Sequence, residues 1–253
     1  MINALLRIRV LGLVLMSLWM SAAHAGTVTV AVASNFTAPM QALARAFTEA
    51  TGHQAVLSFG ATGKFYAQIR QGAPFDVLLS ADDTTPAKIA AEGLGDASSL
   101  RTYAIGRLVL WSPQPDRVDT QGHVLERTDW KHVAMANPRL APYGSAAMQT
   151  LQHLGLSDSV RARIVQGENI SQTYQFVASG NAELGFVALS QVMRDGRMAA
   201  GSAWVVPAQW HAPIRQDAIV LERGRRNDAA WALMRFLQTE QARQLLAGYG
   251  YSF

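Results

Sequence analysis

Four short segments gather residue types that can bind an anion without a countercharge. They are Ser34-Asn35, Gly60-Ala61-Thr62-Gly63, Pro142-Tyr143-Gly144-Ser145 and Glu168-Asn169-Ile170-Ser171. Each precedes a stretch with helical apolar spacing, so each sits where a helix begins. The first N–H groups of a helix lack an intrahelical acceptor, and the helix dipole adds partial positive charge there. Ser, Thr and Asn are also ordinary helix caps, and capping accounts for any one segment taken alone. Taken together they contain no arginine, and only Lys64 lies nearby. Such a set suits a fully ionised oxyanion held by dipoles and hydroxyls instead of ion pairs.

Other chemistries are poorly supported. Gly60-Ala61-Thr62-Gly63-Lys64 looks like part of a nucleotide-binding loop, but the full pattern requires Gly at position 58 and Ser or Thr at 65. The chain has Ser58 and Phe65 there. With no cysteine there is no thiol nucleophile, disulfide, zinc–cysteine site or iron–sulfur cluster. His53, His123, His132, His153 and His211 show no metal-ligand spacing, so no bare metal cation is expected. Asp82-Asp83 could be a catalytic carboxylate pair, yet Thr84-Thr85-Pro86 follows directly and reads as a helix start. No G-x-S-x-G elbow or S-x-x-K pattern occurs, so no enzyme is expected.

These segments need a scaffold, and the composition provides one. Apolar residues are 49% of 253 and charged residues 16%, enough for one large domain or two lobes. The net charge of +4 comes without a dense basic stripe, which argues against a nucleic-acid partner. Arg7 and Arg9, the apolar run Val10–Met20 and the small-x-small Ala23-His24-Ala25 form an export signal, with cleavage expected after Ala25. The mature protein is therefore expected outside the cytoplasm, in the periplasm of a Gram-negative cell. Beyond residue 25, strands near 27–34, 53–59 and 75–80 alternate with helices near 38–51, 62–71 and 84–92. The pattern resumes with strands near 132–136, 163–166 and 184–189 and helices near 143–154, 171–179, 228–238 and 240–246. Alternation of this kind implies an α/β fold with a parallel sheet. Tyr103–Trp111 and Ile214–Leu221 are longer strands with polar or glycine breaks. They bracket a central block, as two crossover strands joining two lobes would. A single doubly wound domain is the simpler layout, and length and pattern leave both open.

Several runs together resemble the periplasmic molybdate-binding proteins of ABC importers. They are Val30-Ala31-Val32-Ala33-Ser34-Asn35, Ser58-Phe59-Gly60-Ala61-Thr62-Gly63-Lys64-Phe65 and Gly72-Ala73-Pro74-Phe75-Asp76 through Ser80-Ala81-Asp82. Further matches are Ala136-Asn137-Pro138, Pro142-Tyr143-Gly144, Gly167-Glu168-Asn169-Ile170, Leu184-Gly185-Phe186-Val187 and Gly248-Tyr249-Gly250-Tyr251. The resemblance implies a two-lobed periplasmic binding protein fold of type II, a Venus flytrap with two crossover hinge strands. Lobe one would be 26–105 plus 218–253, and lobe two 106–217, after the signal peptide 1–25. It implies capture of molybdate or tungstate in the interlobe cleft, no cofactor, and delivery to the membrane permease of an ABC importer; a monomer is expected. Carried over by motif, the binding residues are Ser34, Asn35, Thr62, Tyr143 and Ile170. At Ala188 many relatives have a tyrosine that binds the ion, and the Tyr143 hydroxyl is expected to replace that donor. Sulfate or phosphate is the rival ligand, and an exported hydrolase the rival class.

Overall fold

The computed structural model describes residues 25–253; apart from Ala25, the expected export signal lies outside them. The chain runs β1 (Thr27–Ala33), α1 (Thr37–Thr51), β2 (Gln54–Gly60), α2 (Thr62–Arg70), β3 (Val77–Leu79), α3 (Thr84–Ala91) and β4 (Arg101–Gly106). It continues through β5 (Leu108–Ser112), β6 (Val133–Ala136), α4 (Pro142–His153), α5 (Ser157–Arg161), β7 (Ile164–Gly167), α6 (Ile170–Ala178), β8 (Leu184–Ala188) and α7 (Leu189–Val192). A hairpin of β9 (Met193–Arg194) and β10 (Arg197–Met198) precedes β11 (Ser202–Val205). The chain then returns through β12 (Ile214–Val220), α8 (Asp228–Phe236) and α9 (Glu240–Gly248).

Two five-stranded sheets result, ordered β2-β1-β3-β12-β4 and β11-β5-β8-β6-β7. In the first, β1 pairs parallel with β2 and β3, while β12 is antiparallel to β3 and β4. In the second, β6 is parallel to β7 and β8, and β5 is antiparallel to β8 and β11. The protein is thus a two-lobed α/β molecule with two crossovers. The outward crossover turns at Arg107 alone, which separates β4 in one sheet from β5 in the other. The stretch expected as one strand, 103–111, is therefore two strands in two sheets. The return crossover enters the first sheet at Ile214, which pairs with Gly106. Residues 214–217, expected in lobe two, are paired in the first sheet, because β4 offers them a ladder edge.

Each lobe has its own core. In the first, β1 is apolar and buried from Val30 to Ala33 because helices cover both faces of the sheet there. Met40, Leu43 and Phe47 of α1 recur at helical spacing and are fully buried. Gly52 ends α1 in a left-handed conformation, φ 75°, which favours glycine. In the second lobe Leu108, Leu110, Trp130, Leu151 and Phe186 pack together. Ala33, Ala81 and Tyr143 belong to this same cluster, so the apolar packing continues across the cleft.

Candidate functional site

All five residues expected to bind the ion line one small recess between the lobes. Its walls are Ala33, Ser34, Asn35, Gly60, Ala61, Thr62 and Ala81 from the first lobe and Ala141, Pro142, Tyr143 and Ile170 from the second. The recess is tight, with a cavity volume of about 10 Å³. None of the five residues is more than 5% exposed, and no wall residue is charged.

The N–H donors follow from local helix geometry. Asn35 lies in the short 3-10 turn Ser34–Phe36 between β1 and α1. Thr62 and Ile170 are the first residues of α2 and α6, and Tyr143 is the second of α4. Among the described residues, none of these four N–H groups donates to a turn, loop or cap acceptor. Pro142 at the first position of α4 has no N–H to compete and presets the helical φ. Asn169 caps α6, its carboxamide oxygen accepting from Ser171 N–H and Gln172 N–H at 3.0 Å each. Ile170 N–H is the first-turn donor that this cap leaves over. Gly144 is required by close approach: a Cβ there would stand 2.2 Å from the Ala136 carbonyl oxygen. That contact seats α4 against the end of β6.

Two hydroxyls join the amides. Thr62 Oγ1 accepts from Ala81 N–H at 3.1 Å, which leaves its own proton for the recess. Ser34 Oγ makes no hydrogen bond with the described residues. Lys64 is not in the wall; it pairs with Glu168 of the opposite lobe at 2.5 Å. Asp82, one residue before the N-cap Asp83, accepts from Thr85 N–H at 2.8 Å and from its hydroxyl at 3.1 Å, and so holds the first turn of α3. Burial pushes the Asp82 carboxyl above the usual carboxylate range, against the lowering by those Thr85 bonds.

The lobes touch directly around the recess. Gly63 N–H donates to the Leu140 carbonyl at 3.0 Å. Ser171 Oγ donates to the Ser34 carbonyl at 3.0 Å, and Ser190 Oγ to the Asn35 carbonyl at 2.8 Å. The cleft is closed.

A polar cluster that the sequence reading did not assemble lies behind Asn35. Asn35 Nδ2 donates to Gln216 Oε1 and to Tyr251 Oη, both at 2.9 Å. Tyr251 Oη donates to Ser190 Oγ at 3.1 Å, and Tyr103 Oη to the Ser80 carbonyl at 3.1 Å. The Tyr143 hydroxyl reaches this cluster and not the recess. It lies against Gly106, where a Cβ would be 2.1 Å from Tyr143 Oη and 2.9 Å from Gln216 Nε2. Neither Gly106, Gln216 nor Tyr251 is a wall residue. The expectation that this hydroxyl replaces the donor lost at Ala188 is therefore corrected: the ring runs from the recess to the hinge. Ala188 itself is fully buried at the end of β8 and outside the wall. The only sequence signal for the cluster was the polar break in the hinge strand, Gln216-Asp217, together with terminal Tyr251. Burial pushes the Tyr103 and Tyr143 hydroxyls well above the ordinary tyrosine range and Tyr251 up to about 12.

Known proteins resemble this chain over nearly all of its described length. The profile of a family described as bacterial extracellular solute-binding protein matches residues 28–252. Molybdate-binding protein ModA of Azotobacter vinelandii is 54% identical over 230 residues, covering 91% of each chain. Its counterpart in Rhodobacter capsulatus is 49% identical over 230 residues, covering 90% of this chain and 89% of that one. The solved structure of an Azotobacter vinelandii periplasmic molybdate-binding protein superposes with a TM-score of 0.87 at 41% identity. That match covers 89% of this chain and 99% of the other.

Proposed function

The chain belongs to the bacterial extracellular solute-binding proteins, and from that membership we propose that its recess captures molybdate or tungstate for an ABC importer. The observation that carries the choice of a fully ionised dianion is the uncharged wall with four free N–H groups and two hydroxyls. A dianion without protons needs donors only. A partly protonated phosphate needs an acceptor as well, and the wall contains no carboxylate. The near relatives named as molybdate-binding proteins point to the same ion.

The role is capture and transfer outside the cytoplasm, in the periplasm, after removal of residues 1–25. The partner is the membrane permease of the importer, and the protein works as a monomer that binds and does not turn over its ligand. The binding residues are Ser34, Asn35, Thr62, Tyr143 and Ile170, with Tyr143 and Ile170 acting through their N–H groups. A thermal-shift panel tests the reading, because a ligand that binds only the folded state stabilises it by RT ln(1 + [L]/Kd), about 4 kcal/mol at a thousandfold excess over Kd. Molybdate and tungstate are expected to raise Tm by several degrees, with sulfate and phosphate having little effect at the same concentration. A larger shift with sulfate or phosphate would replace the ligand assignment.

A further inference from the structure

The cluster behind Asn35 contains two buried polar atoms with no partner, Tyr143 Oη and Gln216 Nε2. Both face the same point beside Gly106. A buried unpaired group of this kind costs about 1–3 kcal/mol. Meanwhile Asn35 spends both N–H bonds inward, on Gln216 Oε1 and Tyr251 Oη. Its remaining carboxamide atom, the oxygen Oδ1, has no partner among the described residues, and Asn35 lines the recess. A carbonyl oxygen facing a dianion is repulsive, so this arrangement is poor both behind the site and within it.

A half-turn of both carboxamides about their last bonds removes all three faults and gives up one hydrogen bond, from Tyr251 Oη to Ser190 Oγ. It exchanges oxygen and nitrogen and leaves the shape unchanged, and the surrounding network decides which orientation is right. Gln216 Nε2 then donates to Asn35 Oδ1 across the same 2.9 Å, and Tyr251 Oη turns its single proton from Ser190 Oγ to Asn35 Oδ1 across the other 2.9 Å. Gln216 Oε1 comes to the side of Tyr143, whose hydroxyl gains an acceptor. The second Gln216 N–H points at Tyr103 Oη, 3.4 Å away, which still donates to the Ser80 carbonyl. Ser190 Oγ keeps its bond to the Asn35 carbonyl. Asn35 Nδ2 turns to the recess as a further donor.

We infer that Gln216, held by the Tyr143 hydroxyl, is a positioning residue that turns the Asn35 N–H₂ toward the bound oxyanion. The inference rests on the functional reading above. Gln216 touches no ligand; it acts by presenting a donor to Asn35 Oδ1, and it can do so only while its own oxygen is engaged by Tyr143. The residue sits on β12, one of the two crossover strands, so the hinge itself sets the polarity of the recess.

Three measurements on purified mature protein test this. In wild type, ¹⁵N-resolved spectra should show an Asn35 side-chain amide proton that shifts and becomes protected from exchange when molybdate is added. Gln216→Glu removes the donor and leaves acceptors that favour inward-pointing Asn35 N–H bonds. It should weaken molybdate binding by titration calorimetry about 100-fold. Gln216→Met, isosteric and uncharged, should weaken it about tenfold, which separates orientation from added charge; Tyr143→Phe should do the same. The scale is that of one hydrogen bond to a charged acceptor. A circular-dichroism spectrum and Tm for each variant establish that it is folded. An Asn35 side-chain signal that molybdate leaves unmoved would overturn the inference, as would a Gln216→Met variant that is folded and binds within twofold of wild type. If wild type itself gives no heat with molybdate or tungstate, the functional reading fails first and the inference falls with it.

Discussion

Ser34 and Thr62 show how two hydroxyls on one wall can differ in what they cost to remove. Ser34 Oγ has no protein partner among the described residues, so Ser34→Ala should leave Tm within about a degree while lowering molybdate affinity roughly 10- to 100-fold. Thr62 Oγ1 also satisfies the buried Ala81 N–H. Thr62→Val should therefore lower affinity and also reduce stability by about 1–3 kcal/mol, the penalty of an orphaned buried donor. Calorimetric titration and denaturant unfolding of both variants separate the two effects. Lys64 is the contrasting case: it is a cation beside a candidate binding turn, yet it is engaged by Glu168 at a half-exposed rim. Exposed ion pairs contribute about 0–1 kcal/mol. Lys64→Ala should then change the molybdate Kd by no more than about fivefold, and a loss of a hundredfold would show that the charge acts on the ion.

At the scale of elements, the determining feature is the place where β4 meets β12. Gly106 pairs with Ile214 and leaves room for the Tyr143 hydroxyl and the Gln216 amide. Gly106→Ala would force a Cβ to within 2.1 Å of Tyr143 Oη. Overpacking of this kind costs about 1–3 kcal/mol. The expected outcome is a lower Tm together with weaker molybdate binding, because relieving the clash moves α4 and its N–H away from the recess. Unchanged affinity in a destabilised variant would show that the hinge and the site are independent.

The elements themselves were largely legible. Met40, Leu43 and Phe47 recur at helical spacing and are buried as that spacing implies. The four candidate segments announced themselves by residue type, and the fold brings them to one recess. Three things were not legible. The Gly106-Arg107 break marked a crossover, but the change of sheet at that point was not legible, because the apolar pattern is the same on either side. The return strand joins the first sheet four residues before the expected division, since pairing depends on an edge supplied by β4, more than a hundred residues away. The destination of the Tyr143 hydroxyl depends on Gly106 and Gln216, contacts that sequence spacing does not encode.

At the scale of the molecule, the charged groups of the described residues stand outside the recess wall. No wall residue is a histidine, lysine or carboxylate. The nearest buried hydroxyls, Tyr103, Tyr143 and Tyr251, are pushed upward by burial, Tyr251 to about 12. A raised tyrosine stays neutral through the physiological range, so its contribution to the folded state is constant until strongly alkaline pH. Molybdate affinity should accordingly be flat from about pH 6.5 to 9 in titrations at constant ionic strength. A bell-shaped or sloping profile would reveal a titrating group in the site.

The bonds that join the lobes around the recess, from Gly63 to Leu140, Ser171 to Ser34 and Ser190 to Asn35, have a consequence for how cargo is reported. With the binding residues so fully enclosed, no outside surface can inspect the ion. A receptor at the membrane can read only the spacing between the two lobes. Occupancy is thus converted from a chemical fact into a distance, and anything else that holds the lobes together sends the same message as the ion.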